Sequence, residues 1–136
     1  MADQAQDTFL QEVQDLLGAM EQALLNLETS PEDTESINEI FRAAHTIKGT
    51  AGVFSYDNVV EFTHVVESVL DNIRAGILPV DDPLIALFLR SRDHIEVLVV
   101  VAVNEQNPEE KDLQNGVAIM NDLKVYLGDS TMQVES

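Results

Sequence analysis

The residues best suited to chemistry lie in the stretch AHTIKGTAGVF, residues 44–54, where one histidine and one lysine interrupt a small and apolar run. At about 100° per helical residue, His45 falls roughly 120° from the centre of the apolar stripe, so its ring should reach solvent. Lys48 follows one turn later and can bring its ammonium near the imidazole. An exposed imidazole nitrogen beside a cation is a candidate nucleophile for an anionic group.

The later segment HVVE, residues 64–67, could complete such a site. A short turn would bring its helix back antiparallel to the first one, with Glu67 also about 120° from its own stripe centre. A carboxylate that accepts the Nδ1 proton of His45 would fix the tautomer and leave Nε2 unprotonated and more basic. His64 could extend this network, although an ordinary exposed His and Glu on a helix would give the same pattern.

Gly49 and Gly52 lie on the same side of the predicted helix as His45. Each glycine inside a helix costs about 1 kcal/mol relative to alanine, so both are hard to explain by folding alone. One explanation is access, because missing side chains would let another protein surface approach the histidine. The other is close packing between helices, and the sequence leaves both open.

Five helices should position these residues. The first has apolar residues at helical spacing over 9–27, with Thr8 and Gln11 as a candidate capping box. The second should follow a Ser30 cap, with Pro31 at its first position, and run to about Phe54.

A third helix should begin at the capping-box pair Asn58 and Glu61 and stop at Gly76. A fourth should start at the cap-then-proline pair Asp82 and Pro83 and include the apolar run 95–103. The β-branched residues of that run would also suit a buried strand. Because no second strand is available to pair with it, the run is predicted to be helical.

The fifth helix should open at Asn107 and Pro108 and end before Gly128. Its expected core face consists of Leu113, Val117, Met120, Leu123 and Leu127. Short connections favour antiparallel neighbours, so the fold class is predicted as all-α, an antiparallel up-down four-helix bundle with a fifth C-terminal helix packed alongside. One domain over residues 1–128 is expected, with a disordered tail or the start of a linker at 129–136.

The amino-acid composition indicates which classes of partner and which cellular location to expect. The chain has 25 acidic and seven basic residues, a net charge of -18, so it should repel a nucleic acid backbone. No apolar run approaches the ~20 residues that span a bilayer, and the first residues lack a targeting pattern, so membrane insertion is not expected. The absence of cysteine favours the cytoplasm.

The string INEIFRAAHTIKGTAGVFSY resembles the phosphorylation-site helix of histidine phosphotransfer (HPt) domains, in particular the N-terminal domain of chemotaxis histidine kinases of the CheA type. The resemblance rests on FRAAHTIKG, on its position near the N-terminus and on the later HVVE. It implies that Nε2 of His45 accepts a phosphoryl group from ATP through a separate kinase catalytic domain. It further implies transfer to an aspartate of a CheY-like or CheB-like response regulator.

The resemblance also implies roles for the neighbouring residues. Glu67 would orient His45, Lys48 would balance phosphoryl charge and His64 would belong to the supporting network. Gly49 and Gly52 would then give the regulator room to dock.

Motifs for binding ATP are missing. The chain has no Gly-rich nucleotide loop and no GxxxxGK[ST] pattern, so it is not expected to phosphorylate itself. It is predicted to be a fragment of a larger histidine kinase and, as an isolated domain, a monomer. No cofactor or metal is expected to bind this domain, since ATP and Mg²⁺ would be supplied at the active sites of partners.

Two other functions stay open. One is a non-catalytic helical adaptor, in which the histidine cluster has no special role. The other is a carboxylate-bridged di-metal bundle, suggested by the Glu-x-x-His spacing of Glu61 and His64. That site would need a second Glu-x-x-His, but Arg42 and Ser91 stand three residues before the other two histidines.

Overall fold

A computed structural model describes residues 2–128, and the tail predicted at 129–136 lies outside the described residues. Within this range the secondary structure is five α-helices and no strand. They are α1 (Ala2–Thr29), α2 (Thr34–Val53), α3 (Asp57–Arg74), α4 (Asp82–Val103) and α5 (Glu110–Val125). The run 95–103 is therefore helical, as predicted.

The first four helices close into a bundle. α1 packs against α2 and α4, α3 packs against the same two helices, and α5 lies against α3 and α4. This arrangement confirms the predicted all-α bundle with a fifth helix alongside. Within the described chain, no helix has both the length and the hydropathy needed to cross a bilayer.

One core joins all five helices. Phe9, Ile47, Leu70, Ile95 and Leu123, from five different helices, are each fully buried. Burying a side chain of this size contributes about 1.5–3 kcal/mol. The core therefore holds α2 and α3 firmly side by side, and these are the two helices that carry the candidate site.

The predicted start of α1 was wrong. Thr8 lies inside the helix, where its hydroxyl donates to the carbonyl oxygen of Gln4 at 3.0 Å, and Gln11 donates to Asp15 at 3.2 Å, so no capping box forms. Four of the six residues at 2–7 are alanine or glutamine, which favour a helix, but the segment carries no apolar periodicity. The sequence pattern consequently gave no signal for the first turns.

The predicted start of α2 was also wrong, by three residues. Pro31 lies in a turn closed by a hydrogen bond from the Asp33 backbone N–H to the Ser30 carbonyl at 3.0 Å. Asp33 is the N-cap residue, but its carboxylate accepts from Ser36 Oγ at 2.8 Å and Asn26 Nδ2 at 2.9 Å, not from the helix backbone. Contacts with α1 thus decide where α2 begins.

The starts of the last three helices are shifted by one or two residues. Their N-caps are Tyr56 in place of Asn58, Asp81 in place of Asp82, and Glu109 in place of Asn107. Of these three caps, only Asp81 acts through its side chain, accepting from the Leu84 backbone N–H at 3.0 Å. The predicted stops at Gly76 and Gly128 are confirmed, because both glycines adopt left-handed φ angles of 77° and 76° after their helices.

The predicted core face of α5 was only partly right. Leu123 is buried, but Leu113 and Val117 are 48% and 60% exposed, and Ile119 takes their place in the core. α5 packs mainly against α3 and α4, and its buried residues, Ile119 and Leu123, lie in its C-terminal half. The apolar residues of its first half face solvent.

Candidate functional site

His45 lies on α2 against the carboxylate of Glu67 on α3. Nδ1 of His45 is 2.5 Å from Oε2 of Glu67. The imidazole is 64% exposed, whereas the Glu67 side chain is only 10% exposed. The predicted contact between the two side chains is present, but Glu67 is more buried than the helical wheel suggested, because α2 covers it.

Lys48 binds the same carboxylate. Its Nζ lies 2.6 Å from Oε1 of Glu67. The two oxygens of Glu67 therefore contact two groups that stand one turn apart on α2. This arrangement holds the carboxylate in place and puts the ammonium on the His45 side of the helix.

The Glu67 carboxyl is ionised despite its burial. Burial acts to raise its pKa, but the contacts and positive charge of Lys48, and then those of His45, outweigh that effect and leave the pKa below its usual value. An ionised carboxylate only accepts hydrogen bonds, so Nδ1 of His45 carries the proton. In the neutral ring Nε2 then keeps its lone pair, and within residues 2–128 Nε2 has no hydrogen-bond partner.

Phe41 stacks against the imidazole and is itself contacted by Arg74. The ring of Phe41 lies parallel to that of His45, with 6.1 Å between centroids and 8° between planes. The guanidinium carbon of Arg74 lies 4.1 Å from the Phe41 centroid, and Arg74 Nε donates to Asn38 Oδ1 at 3.1 Å. These contacts restrict the orientation of the His45 ring.

Sequence reasoning missed both Phe41 and Arg74. The position of Phe41, four residues before His45 on the same helix, was a signal that the two rings could meet. Arg74 carried no such signal, because its contact depends on how α3 packs on α2.

His64 lies near this cluster without a hydrogen bond to it. It is exposed on α3 and lines a shallow cavity of about 230 Å³ together with Lys48 and Glu67. No hydrogen bond to its ring exists in the part of the chain that the structure describes. A network role for His64 remains a prediction.

Gly49 and Gly52 are exposed beside His45. A Cβ atom added at Gly49 would meet nothing within 4 Å, and one added at Gly52 would meet only Cγ2 of Val60 at 4.0 Å. Neither glycine is needed for close helix packing, so that explanation has no support here. The open surface is compatible with the approach of a partner, and the docking role remains a prediction.

The di-metal alternative gains no support. Glu61 and His64 are both exposed on α3 and do not face the bundle core. Among residues 2–128, no group of three or more histidine, aspartate or glutamate side chains is arranged to hold a metal ion.

Known families, proteins and solved structures include clear relatives of this chain. The model of the Hpt domain family matches residues 4–107. The chemotaxis protein CheA of Salmonella typhimurium is 40% identical over 102 residues, which are 75% of this chain and 15% of that protein. The chain thus spans less than a sixth of the length of this curated relative.

Solved structures share the fold. The CheA phosphotransferase domain from Thermotoga maritima superimposes with a TM-score of 0.71 at 32% identity, over 76% of this chain and 98% of that one. The phosphorylated P1 domain of CheA3, solved in complex with CheY6 from R. sphaeroides, has a TM-score of 0.80 at 24% identity, over 93% of this chain and 97% of that one. At 24% identity this similarity shows a shared fold and nothing more.

Proposed function

This chain belongs to the Hpt domain family, and on that premise we propose that it is the phosphotransfer domain of a chemotaxis histidine kinase. One observation carries the proposal. Nδ1 of His45 contacts Oε2 of Glu67, and this contact supports a proton on Nδ1 and a free Nε2 nucleophile on an exposed ring.

In the proposed first step, Nε2 of His45 attacks the γ-phosphorus of ATP held by a separate kinase catalytic domain. The nitrogen–phosphorus bond forms while the bond from phosphorus to the ADP oxygen breaks. Positive charge develops on the imidazole, and the Glu67 carboxylate stabilises it through the Nδ1 proton. The Lys48 ammonium lies on the same side of α2 and balances charge on the phosphoryl oxygens.

In the second step, a carboxylate oxygen of an aspartate in a response regulator attacks the phosphorus, and the bond to Nε2 breaks. The solved complex of a CheA3 P1 domain with CheY6 supports a CheY-like acceptor, and a CheB-like regulator is the related possibility. Gly49 and Gly52 form the docking surface, because their missing side chains let the aspartate reach His45.

The rest of the kinase reaction belongs to partners. Residues 1–128 form the phosphotransfer domain, and ATP and Mg²⁺ bind at the active sites of the kinase catalytic domain and the regulator. The short coverage of the CheA relative supports a chain that works as a fragment of a longer kinase. We place it in the cytoplasm and propose that the isolated domain is a monomer that does not use ATP alone.

The test is a phosphorylation assay. The chain is incubated with a CheA catalytic fragment, Mg²⁺ and labelled ATP, and the label is expected on the chain in an acid-labile, base-stable form. His45→Gln should abolish it, while the control His64→Gln should keep it. A label that persists in folded His45→Gln would overturn the assignment.

A further inference from the structure

A second cleft lies between α3, α4 and α5 and shares no lining residue with the cavity beside His45. Its volume is about 270 Å³. Most of its surface is apolar, provided by Phe62, Leu98, Leu113, Val117 and Met120. Leu113 and Val117, whose exposure the sequence did not predict, thus form part of the wall of this cleft.

His94 supplies a polar group to this apolar cleft. The residue is only 4% exposed, and its ring packs edge-on against Phe62 with 4.8 Å between centroids. Its Nδ1 is buried without a hydrogen-bond partner in the described part of the chain. Buried polar atoms nearly always have a partner, so this nitrogen needs an explanation.

The His94 ring is neutral at neutral pH. Burial lowers its pKa, and the nearby Asp112 carboxylate offsets only part of that effect. A neutral imidazole keeps one nitrogen as a hydrogen-bond acceptor. Because Nδ1 is closed off from solvent, the nitrogen that a molecule in the cleft can reach is Nε2, next to the cleft residue Gly116, and no described protein group donates to it.

Gly116 on α5 makes room for the His94 ring. A Cβ atom at this position would lie 2.5 Å from Nε2 of His94 and 3.0 Å from Cε1. The ring can occupy its place only because α5 presents bare backbone there.

The charges around the cleft are all of one sign. The carboxylates of Glu61 on α3 and Asp112 on α5 line it, and no lysine or arginine is among its lining residues in the described chain. The whole chain has a net charge of -18. An occupant with positive charge would match both the carboxylates and the unused acceptor of His94.

We propose that this cleft binds a small organic cation, an amine with an apolar aromatic or alkyl body. The apolar body packs against Phe62, Leu98 and Val117, and the ammonium donates to Nε2 of His94 and to the rim carboxylates. The size is suitable, since a cavity of about 150 Å³ holds benzene, which leaves room here for an aminoalkyl chain.

The test is a titration of the ¹⁵N-labelled chain with 2-phenylethylamine, followed by NMR. Backbone shifts should change for residues around the cleft, such as Phe62, His94 and Gly116. The uncharged isostere 2-phenylethanol should bind roughly tenfold more weakly or worse, because it cannot form charge-assisted hydrogen bonds. Equal affinity for both probes, or no shifts at the cleft, would overturn the proposal.

Two variants separate the cleft from the general acidity of the protein. Val117→Lys changes an exposed residue, so the fold should survive, and its ammonium should compete for the cleft and abolish amine binding. Leu25→Lys on α1 is the matched control, because Leu25 is also an exposed apolar residue but does not line the cleft. The amine-induced shift changes could instead persist in Val117→Lys, or decrease equally in both variants. Either result would indicate nonspecific electrostatic attraction and would contradict the proposal.

His94→Phe tests the polar contact. Phenylalanine keeps an aromatic ring, one atom larger than imidazole, and removes both nitrogens, so the affinity for the amine should fall while that for 2-phenylethanol should not. Unchanged discrimination between the two probes in this folded variant would contradict the role of His94.

Discussion

Nδ1 of His45 on α2 lies 2.5 Å from Oε2 of Glu67 on α3, so the candidate nucleophile of one helix is oriented by the helix beside it. The relationship is asymmetric. The histidine is largely exposed and can reach a partner, whereas the carboxylate is buried and held a second time by Lys48. Fixed orientation and open access are thereby combined in one pair of residues.

Replacing Glu67 should slow phosphorylation without abolishing it. Glu67→Ala removes the acceptor for the Nδ1 proton, and positioned groups of this kind contribute about 10²–10⁴-fold in enzymes, so a loss near the lower end is expected for an exposed ring. The ¹⁵N shifts of the imidazole should report a larger share of the Nε2–H tautomer. Glu61→Ala, on the exposed face of the same helix, is the control, and identical rates and ring shifts in both variants would remove Glu67 from the site.

Filling the glycine surface should affect transfer more than folding. Gly52→Leu places a side chain in open space, so helical circular dichroism should be retained, but transfer from His45 to a CheY-like regulator should become slower. The control is Gly18→Leu on α1, where an added Cβ meets nothing within 4 Å, against a single contact at 4.0 Å for Gly52. If the folded Gly52 variant transfers at the wild-type rate, the docking role is wrong.

Stability should fall on acidification because of His94. Its folded-state pKa lies below the usual 6.5, so the unfolded state takes up the proton first. The free energy of unfolding therefore keeps its full value above about pH 6.5 and decreases as the pH falls below that value. Urea unfolding at a series of pH values should show this decrease in the free energy of unfolding. His94→Phe should make the dependence on pH weaker. Asp112→Asn should steepen it, since the Asp112 carboxylate partly supports the charged ring; a slope that neither variant changes would contradict this origin.

Two glycine-to-alanine changes should have opposite signs. At Gly116 the new Cβ would lie 2.5 Å from His94 Nε2, so the ring or α5 must move, and overpacking of this kind costs about 1–3 kcal/mol. At Gly18 the Cβ meets nothing, so alanine should stabilise α1 by about 0.5–1 kcal/mol. Thermal unfolding measures both, and a Gly116→Ala protein as stable as the wild type would show that His94 has free space to move.

The helices themselves were largely predictable, and their first residues were not. Apolar residues at helical spacing located all five helices, including the β-branched run 95–103, because periodicity reflects burial over many residues. The first residue of a helix depends instead on a single N-cap residue and its contacts. Asp33 is held by side chains of α1 and α2 rather than by a local capping bond, and Asp81 lies directly beside the equally suitable Asp82.

By itself the sequence determined what lies within one helix: that His45 faces outward and that Lys48 and the two glycines share its side, since these follow from the 100° step. Tertiary structure alone decided what lies between helices. It buried Glu67 between His45 and Lys48, brought Arg74 over Phe41, and left Leu113 and Val117 exposed beside His94. The physical reason is that contacts across helices depend on the register and angle at which whole helices pack, and these are settled by the shared core rather than by any local pattern.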